Sequence, residues 1–363
     1  MTRHRIGIVG CGVVARTVHV PLLRTRTDIQ VRALVDPDPV ARAEAARSFP
    51  GAAVYDDVES AVEGAELDAV VITAPTAVHA PITIACLNRG WDVYVEKPLA
   101  STLREANEVL RAWQASGRMG VMGFNARFHP LMRRLKDRLG EGRAGPPVQV
   151  RTVFTTAPRE LPPWKRQRAT GGGALLDLGA HHIDLVRYLF GLRIVAARAA
   201  VDSRRTEHDT AALEMVLEGG LRVLGHYSLA AAEREAVEVH GEEARLVVSR
   251  FTSLDVTITG NPGRDPLLAR LGRGVAALTR LGAALRYRRA PFRDPGYALV
   301  LGRFIAAVGT REMSPDTPDL RDGWECLAVI DAAERSLRSG RLESVDLGPG
   351  FGKPGAPGFG TGG

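Results

Sequence analysis

The first 123 residues alternate short apolar runs with longer segments in which apolar residues recur at helical spacing. The apolar runs are rich in Val, Ile and Ala and are bounded by turn residues, which is typical of strands buried on both faces of a parallel sheet. Strands that alternate with helices in this way predict a doubly wound α/β domain. The predicted strands are Ile6–Val9, Val31–Val35, Ala69–Thr73, Asp92–Val95 and Gly120–Gly123, and the clearest helices are Ala41–Ser48, Ala80–Arg89 and Leu103–Ser116.

The pattern changes at about residue 149. Val148–Thr156 is predicted as a strand, a proline-containing loop follows, and a triple glycine at 171–173 opens a helix that ends near Gly191. Short runs with period-two alternation or continuous apolar character come next and predict an antiparallel sheet. The second half is therefore expected to be an α+β domain. Its further strands are Ile194–Val201, Ala211–Leu217, Leu221–Leu229, Ala236–His240, Arg245–Arg250 and Leu254–Thr259.

Two segments depart from this organisation. Between residues 261 and 293, leucines recur at helical spacing with arginines between them. One interpretation is an amphipathic helix packed on the second domain or on another subunit. The other is a basic surface helix that meets an anionic membrane or substrate. Residues 347–363 are rich in Gly and Pro and nearly lack apolar side chains, so a disordered tail is expected.

Length and composition narrow the class of protein. A chain of 363 residues is too long for one typical core, so two domains are expected. The net charge of +7 is spread along the chain without a nucleic-acid-reading motif, which argues against nucleic-acid binding. Cys11, Cys86 and Cys326 lack disulfide or metal spacing, so a reducing, cytoplasmic setting without a metal site is expected. No run has the character of a signal peptide or a membrane span.

A glycine-rich turn directly follows the first predicted strand. Its sequence, Gly10-Cys11-Gly12-Val13-Val14-Ala15, matches the GxGxxA pattern of a dinucleotide-binding Rossmann domain. In this pattern the first glycine permits a tight turn, the second lets the backbone approach a pyrophosphate, and the small last residue lets the helix pack on the strand. The helix N-terminus then offers unpaired N–H groups to the phosphates.

Asp36 supplies the second half of this fingerprint. It ends the second strand, 26 residues after Gly10, where a carboxylate is expected to bind the ribose hydroxyls. The alternative is a turn residue before Pro37. A carboxylate at this place would repel a 2′-phosphate, and no arginine follows it directly. The sequence therefore predicts NAD in preference to NADP.

Two further motifs are more specific. One is Glu96-Lys97-Pro98, directly after a strand, and the other is residues 171–184, GGGALLDLGAHHID. With the glycine turn they resemble the Gfo/Idh/MocA oxidoreductases, the family of glucose-fructose oxidoreductase and inositol dehydrogenase. The resemblance runs from about Arg5 to Asp346, interrupted by residues 261–293, which are longer and more basic than expected for the family. Further matching residues are His19, Pro21, Ala74, Pro75, Thr76, His79, Asn125, Arg127 and Phe128.

The resemblance implies a reaction and a set of site residues. The reaction is hydride transfer between a nicotinamide cofactor and a ring hydroxyl or ketone of a polyol, inositol, sugar or sugar derivative. Lys97 would contact the substrate hydroxyl near the nicotinamide, Asp177 would bind substrate, and His181 would be the general base. The expected cofactor-binding residues are Gly10, Gly12, Val13, Val14, Asp36, Ala74, Pro75, Thr76, His79, Glu96 and Lys97, and the further substrate residues are Asn125, Arg127 and Trp164.

The residues themselves support this chemistry. Oxidation of a secondary alcohol needs a base near neutral pH and a cation for the oxygen on which negative charge develops. On a helix that begins near Ala174, at 100° per residue, Asp177, His181, Asp184 and Tyr188 fall within about 60° of one another. Such a stripe is either a solvated face or the wall of a cleft. In the cleft interpretation, Asp177 orients the His181 imidazole.

Several assignments keep alternatives. Adjacent helix residues point about 100° apart, so one of His181 and His182 faces the site, and the Asp-x-x-x-His spacing selects His181. His182 is then expected to pack against the second-domain sheet. Trp164, Lys165 and Arg127 are plausible substrate-side residues. The alternative for Trp164 is a loop anchor, and the alternative for Arg127 is a residue that holds the domains together. Some relatives that act on nucleotide-linked keto sugars have Tyr in place of His181, which favours free polyols or sugars here.

The predicted organisation is a Rossmann domain at 1–123, a substrate and oligomerisation domain at 124–346 and a tail at 347–363. The resemblance also implies a homodimer or homotetramer. Two other functions remain open. One is a glycoside hydrolase or lyase that oxidises its sugar transiently with NAD, and the other is a non-catalytic dinucleotide-binding regulator.

Overall fold

The computed structural model describes residues 3–260 and 294–348. Within them the chain forms two compact units. The first comprises residues 3–125, 169–171 and 297–327, and the second comprises residues 126–168, 172–260, 294–296 and 328–348. The segment predicted at 261–293 and nearly all of the predicted tail lie outside the described residues. The domain boundaries at 123 and 346 stay predictions.

The first unit contains a six-stranded parallel sheet in the order β3-β2-β1-β4-β5-β6. This is the Rossmann order. The strand order reverses between β1 and β4, the point where open α/β sheets bind ligands. The strands are β1 (His4–Val9), β2 (Ile29–Val35), β3 (Ala53–Tyr55), β4 (Ala69–Ile72), β5 (Asp92–Val95) and β6 (Gly120–Met122). The first helices are α1 (Val20–Arg24), α2 (Pro39–Ala46), α3 (Val58–Gly64), α4 (Thr76–Asn88) and α5 (Leu103–Ser116).

The predicted α/β class and all five predicted strands of this region are confirmed. The strands β4 and β5 are buried at every position because helices cover both faces of the sheet. Two elements were missing from the prediction. The strand β3 has only three residues and lies at the sheet edge, two of its side chains being exposed, and the short helix α3 follows it.

The second unit contains an eight-stranded sheet in the order β13-β12-β11-β7-β10-β9-β8-β14. Among the described strand pairs of this sheet, only β7 and β10 are parallel, so the predicted mainly antiparallel sheet is confirmed. The strands are β7 (Pro147–Thr155), β8 (Ile194–Asp202), β9 (Thr210–Leu217), β10 (Arg222–Ser228), β11 (Arg234–Gly241), β12 (Ala244–Ser249), β13 (Thr257–Gly260) and β14 (Glu343–Ser344). Two helices accompany them, α6 (Pro130–Gly140) and α7 (Ala180–Phe190).

Two helices lie near the C-terminal end of the described chain, α8 (Pro295–Thr310) and α9 (Leu320–Ser339). The residues just before α9 complete the edge of the parallel sheet. Met122 N donates to Pro318 O at 2.9 Å, and Val121 forms an isolated bridge with Asp319. None of the helices within 3–260 and 294–348 has the length and hydropathy that crossing a bilayer requires.

Candidate active site

The glycine turn after β1 combines one tightly packed glycine with one open glycine. Gly10 has a φ of +91°, and a Cβ atom there would lie 2.5 Å from Ala74 N, so a larger side chain is excluded on both counts. Around Gly12, by contrast, a Cβ atom would meet nothing within 4 Å. Val13 is 66% exposed and Val14 41% exposed. The turn therefore presents an open backbone surface at the point where the Rossmann pattern predicts the pyrophosphate.

The helix after this turn begins with a wide turn. Ala15–His19 is π-helical, and the N–H of Val20 donates to Ala15 O, five residues back, before α1 continues. π-helical turns are rare and are found frequently at functional sites. The wide turn places His19 inside the unit, where its side chain is fully buried.

Asp36 joins the second strand to the glycine turn. Its Oδ2 accepts a hydrogen bond from Cys11 N at 2.7 Å, and its Oδ1 accepts one from Asp38 N at 2.8 Å. Arg42 donates to the Asp36 backbone oxygen. The contact with Cys11 places the carboxylate beside the glycine turn, and the contact with Asp38 is a local turn bond. A ribose-binding role for Asp36 stays a prediction.

His79 connects two turns at the carboxyl end of the sheet. Its Nε2 lies 2.7 Å from Ala74 O and its Nδ1 lies 2.6 Å from Pro98 O. The side chain is buried, and burial lowers the pKa of His79. His79 was predicted to bind cofactor. That role stays a prediction, and the structure shows each ring nitrogen within hydrogen-bond distance of a backbone oxygen.

The other residues of this turn are small, and the last of them is packed. Thr76 is the first residue of α4, follows Pro75 and is 4% exposed. A Cβ atom on Gly171 would lie 2.6 Å from the Thr76 Cβ, so the first glycine of the triple glycine is required by this contact. Ala74, Pro75 and Thr76 thus form a compact backbone segment next to Gly10.

Glu96 and His19 form a buried pair behind Lys97. Glu96 Oε1 lies 2.8 Å from His19 Nε2, and Tyr94 Oη donates to the same oxygen at 3.3 Å. Burial raises the pKa of Tyr94, so the phenol stays a donor. Glu96 lies inside the unit at this end of the sheet, and its predicted part in cofactor binding stays a prediction. The sequence motif contained His19 but gave no indication that it would contact Glu96.

Lys97 follows β5 and is partly exposed, between the buried Glu96 and Pro98. The Lys97–Pro98 peptide bond is cis. Asn125 follows β6 and is buried at the start of a 3₁₀ turn. The predicted residues Gly10, Asp36, Ala74, His79, Glu96 and Lys97 therefore all lie at the carboxyl ends of parallel strands or on the segments that follow.

In the second unit, the two glycines that precede the predicted catalytic helix are packed against protein. A Cβ atom on Gly172 would lie 2.4 Å from Lys165 O and 2.7 Å from Gln167 O. Gly173 has a φ of +94°. These glycines let the loop that contains Lys165 fold closely over the start of the helix.

The helix that follows has two parts. Leu175–Gly179 is π-helical, with the N–H of Ala180 bonded to Leu175 O, and α7 begins at Ala180. The predicted spacing of 100° per residue is therefore wrong over the first turn, because an i→i+5 turn holds more residues than an α-helical one. The solvated-face interpretation is wrong as well, since Asp177 is 6% exposed and Asp184 fully buried.

Asp177 is paired with a lysine from the preceding loop. Lys165 Nζ donates to Asp177 Oδ2 at 2.8 Å, and the side chains are 23% and 8% exposed respectively. The same ammonium lies 5.3 Å from the centre of the Trp164 ring. Asp177 was predicted to orient His181, and that role stays a prediction beside this ion pair. Lys165 was a plausible substrate-side residue by sequence, but its partner could not be foreseen.

The two adjacent histidines have different environments. His181 is partly exposed and its ring lies 5.7 Å from that of Phe154. His182 is fully buried, stacks on Phe154 at 5.5 Å and meets Tyr227 edge-on. Burial lowers the pKa of His182 to about 3. Because Phe154 is on β7 and Tyr227 on β10, the prediction that His182 packs against the sheet is confirmed.

Arg127 is paired with the other acidic residue of the helix. Its Nε donates to Asp184 Oδ2 at 2.7 Å and its Nη2 donates to Asp184 Oδ1, a bidentate arrangement inside the unit. The Lys136 ammonium lies over the Tyr188 ring, with Nζ 3.7 Å from the ring centre. A substrate role for Arg127 stays a prediction, and the structure shows a buried ion pair within the second unit.

Comparisons with known proteins agree with this arrangement. Residues 4–124 match the model of an oxidoreductase family with an NAD-binding Rossmann fold, and residues 132–247 match the GFO/IDH/MocA C-terminal domain. Inositol 2-dehydrogenase 2 of Saccharopolyspora erythraea is 28% identical over 355 residues, covering 95% of this chain and 96% of that protein. A putative UDP-kanosamine synthase oxidoreductase subunit of Amycolatopsis mediterranei is 35% identical over 191 residues, 52% of each chain.

Solved structures give the same result. GenD2 from gentamicin A biosynthesis, in complex with NAD, has a TM-score of 0.78 and 25% identity, covering 95% of this chain and 97% of that one. The glycine turn and the two family matches point to one conclusion. The chain belongs to the Gfo/Idh/MocA family of oxidoreductases, and its N-terminal part is an NAD-binding Rossmann domain.

Proposed function

We propose that this protein oxidises a ring hydroxyl of a polyol, inositol, sugar or sugar derivative with NAD, or reduces the matching ketone. The observation that carries the proposal is Lys97, a partly exposed cation at the carboxyl end of β5 in the same unit as an open dinucleotide turn. The full-length similarity to an inositol 2-dehydrogenase supports the substrate class.

The residues of the first unit fit the cofactor. Open space at Gly12 leaves room for a pyrophosphate against the backbone, and the helix start after it supplies N–H groups. The Asp36 carboxylate, held by Cys11 N, would accept the ribose hydroxyls and disfavour a 2′-phosphate. When bound, NAD accepts the hydride that the alcohol carbon releases.

The protein's own groups handle the proton and the charge. In the proposed reaction, an imidazole nitrogen of His181 takes the proton from the substrate hydroxyl, which generates negative charge on that oxygen. The Lys97 ammonium stabilises this charge. Asp177 binds a substrate hydroxyl as a hydrogen-bond acceptor. His182 is excluded from the role of base by its full burial against Phe154.

Two substitutions test the assignment. Lys97→Ala and His181→Ala are each expected to lower kcat by roughly 100-fold or more, because each removes a group that acts in the transition state. The Kd for NAD, measured by fluorescence titration, should stay nearly unchanged. His226→Ala, which changes an exposed histidine on β10, is the matched control. Wild-type turnover in either test variant contradicts the role assigned to that residue.

The substrate is to be found with a panel of inositols, aldoses, glycosides and nucleotide-linked sugars. Formation of NADH in proportion to product is expected for a dehydrogenase. Turnover without net NADH would indicate transient oxidation within a hydrolase or lyase, and tight NAD binding without turnover of any compound would indicate a regulator. The nucleotide-linked sugars are included because the Amycolatopsis relative is named for one.

We further propose a homodimer or homotetramer that works in the cytoplasm. Support for the reducing compartment comes from Cys11, Cys86 and Cys326, which are buried and form no disulfide within the described residues. Light scattering of the purified protein measures the oligomeric state, and a monomer at micromolar concentration would contradict it.

A further inference from the structure

Lys165 reaches Asp177 from a loop that the surrounding backbone holds in place. The loop ends its 3₁₀ turn at Lys165, whose N–H donates to Pro162 O at 2.9 Å. Gly172 N donates to Gln167 O at 2.9 Å, which ties the loop to the glycines that precede the helix. The position of the Lys165 backbone is therefore set by contacts that do not involve its side chain.

A second anchor lies three residues further along the loop. Arg168 forms a two-point ion pair with Glu334 through Nε and Nη2, at 2.5 and 3.1 Å, and its backbone N–H donates to Glu207 Oε2 at 2.6 Å. Because the loop is held independently at Arg168 and at Gly172, the Lys165 side chain is not needed to fold it. The Lys165–Asp177 contact is then available for another purpose.

The charges indicate that purpose. Asp177 is nearly buried, and burial of a carboxylate disfavours its charged form unless a cation compensates. The Lys165 ammonium at 2.8 Å supplies that cation and fixes the direction of one carboxylate oxygen. An ionised, oriented carboxylate is the hydrogen-bond acceptor that a sugar or polyol hydroxyl requires.

We propose that Lys165 is a positioning residue for the substrate, acting through Asp177 to keep this carboxylate ionised and aimed at a substrate hydroxyl. The inference rests on the proposed function and adds to it a second lysine with a task different from that of Lys97. Lys97 stabilises charge that develops during the reaction. Lys165 prepares a binding group before the reaction begins.

The test compares three variants on the substrate that the panel identifies for the wild type. Lys165→Met, similar in length but uncharged, is expected to raise KM at least tenfold while kcat changes less than about threefold, because a ground-state contact is weakened. Lys165→Arg should restore most of the loss. Arg159→Met, an exposed cation in the same loop, is the control that should leave KM unchanged.

A double variant separates positioning from loop anchoring. If Lys165 acts through Asp177, then Lys165→Met combined with Asp177→Asn should have a KM within about twofold of Asp177→Asn alone. The proposal would be overturned if the fold-increase in KM of the double variant equalled the product of the two single-variant increases. A wild-type KM for Lys165→Met would overturn it as well. Unchanged NAD affinity shows that each variant is folded. Failure of the proposed function itself would be visible earlier, as absence of turnover in the wild type with every compound.

Discussion

Residues 10–12 of the first unit and residues 172–173 of the second are both glycine-rich turns, and both precede a five-residue π-helical segment. Gly10 and Gly173 have positive φ angles, so the backbone in each turn follows a path that other residues rarely adopt. The turns differ in what faces the neighbouring glycine. At Gly12 a Cβ atom would point into open space, whereas at Gly172 it would meet two backbone carbonyl groups.

The first turn leaves its backbone accessible to a ligand, whereas the second turn packs against another loop of the protein. In the first unit the open surface at Gly12 leaves the phosphate-binding N–H groups accessible. In the second unit the space above the glycines is filled by the loop that brings Lys165 to Asp177. A glycine-rich sequence before a helix therefore does not by itself indicate a phosphate site.

Gly172→Ala should produce the largest effect on stability. A Cβ atom 2.4 Å from Lys165 O can be relieved only by moving backbone, so the free energy of unfolding is expected to fall by about 2–3 kcal/mol. Denaturant titration measures the change. Gly140→Ala in the same unit, where a Cβ atom meets nothing within 4 Å, is the control and should be nearly neutral. If Gly172→Ala and Gly140→Ala had the same free energy of unfolding, the expected difference between packed and open glycines would be contradicted.

Gly12→Ala should have the opposite profile. The free energy of unfolding is expected to stay within about 0.5 kcal/mol of the wild type, because the added methyl group meets no protein atom. The Kd for NAD should rise roughly tenfold, about 1.4 kcal/mol, since the methyl group occupies the space that the pyrophosphate approaches. Isothermal titration calorimetry with NAD measures this Kd. Unchanged affinity would mean that the dinucleotide does not approach this glycine.

The buried histidines after the two wide turns give the smallest and most specific effect. His19 has a carboxylate at 2.8 Å, whereas the nearest carboxylate oxygen to His182, on Glu235, is 4.0 Å away. The folded pKa of His182, about 3, lies below its usual value near 6.5. Between these values the unfolded chain binds a proton that the folded chain does not. The contribution of the neutral His182 imidazole to the free energy of unfolding is therefore fully present above pH 6.5, and it is lost as the pH falls towards 3.

His182→Gln should flatten this dependence by up to about 1.4 kcal/mol per pH unit, measured as the free energy of unfolding between pH 6 and pH 5. The slope is the readout, since the absolute stability also changes when a buried ring is replaced. His226→Gln, at an exposed position, should leave the slope as it is in the wild type. A slope unaltered in His182→Gln would show that other groups dominate acid unfolding.

The regular elements were predictable because burial leaves a local pattern. Strands covered on both faces are continuous apolar runs, and β4 and β5 were found for that reason. The helix α6 was missed although Leu131, Leu135 and Leu139 recur at helical spacing, so a signal existed there. The compact units could not be read from a linear pattern, because residues 297–327 pack with the N-terminal part across more than 170 residues of intervening chain.

The candidate site was predictable in its residues and less so in their contacts. The positions of Gly10, Asp36 and Lys97 follow from strand ends, which the sequence marks. The Lys165–Asp177 pair depends on how a loop folds, and the π-helical turns depend on packing that sequence periodicity does not encode. Those are the places where the angular argument from an ideal α-helix failed.

The segment that borders β6 has a consequence for modularity. Leu320 packs directly on the backbone of Gly120, where a Cβ atom would lie 2.7 Å from Leu320 Cγ. Trp324 Nε1 also donates a hydrogen bond to Asn107 Oδ1 at 2.6 Å. The dinucleotide-binding part is thus built from two segments that lie far apart in the sequence. A fragment that stops at residue 125 would lack the chain that covers the sheet edge, and a chimera that exchanges cofactor domains between relatives needs a second crossover to bring residues 297–327 with it.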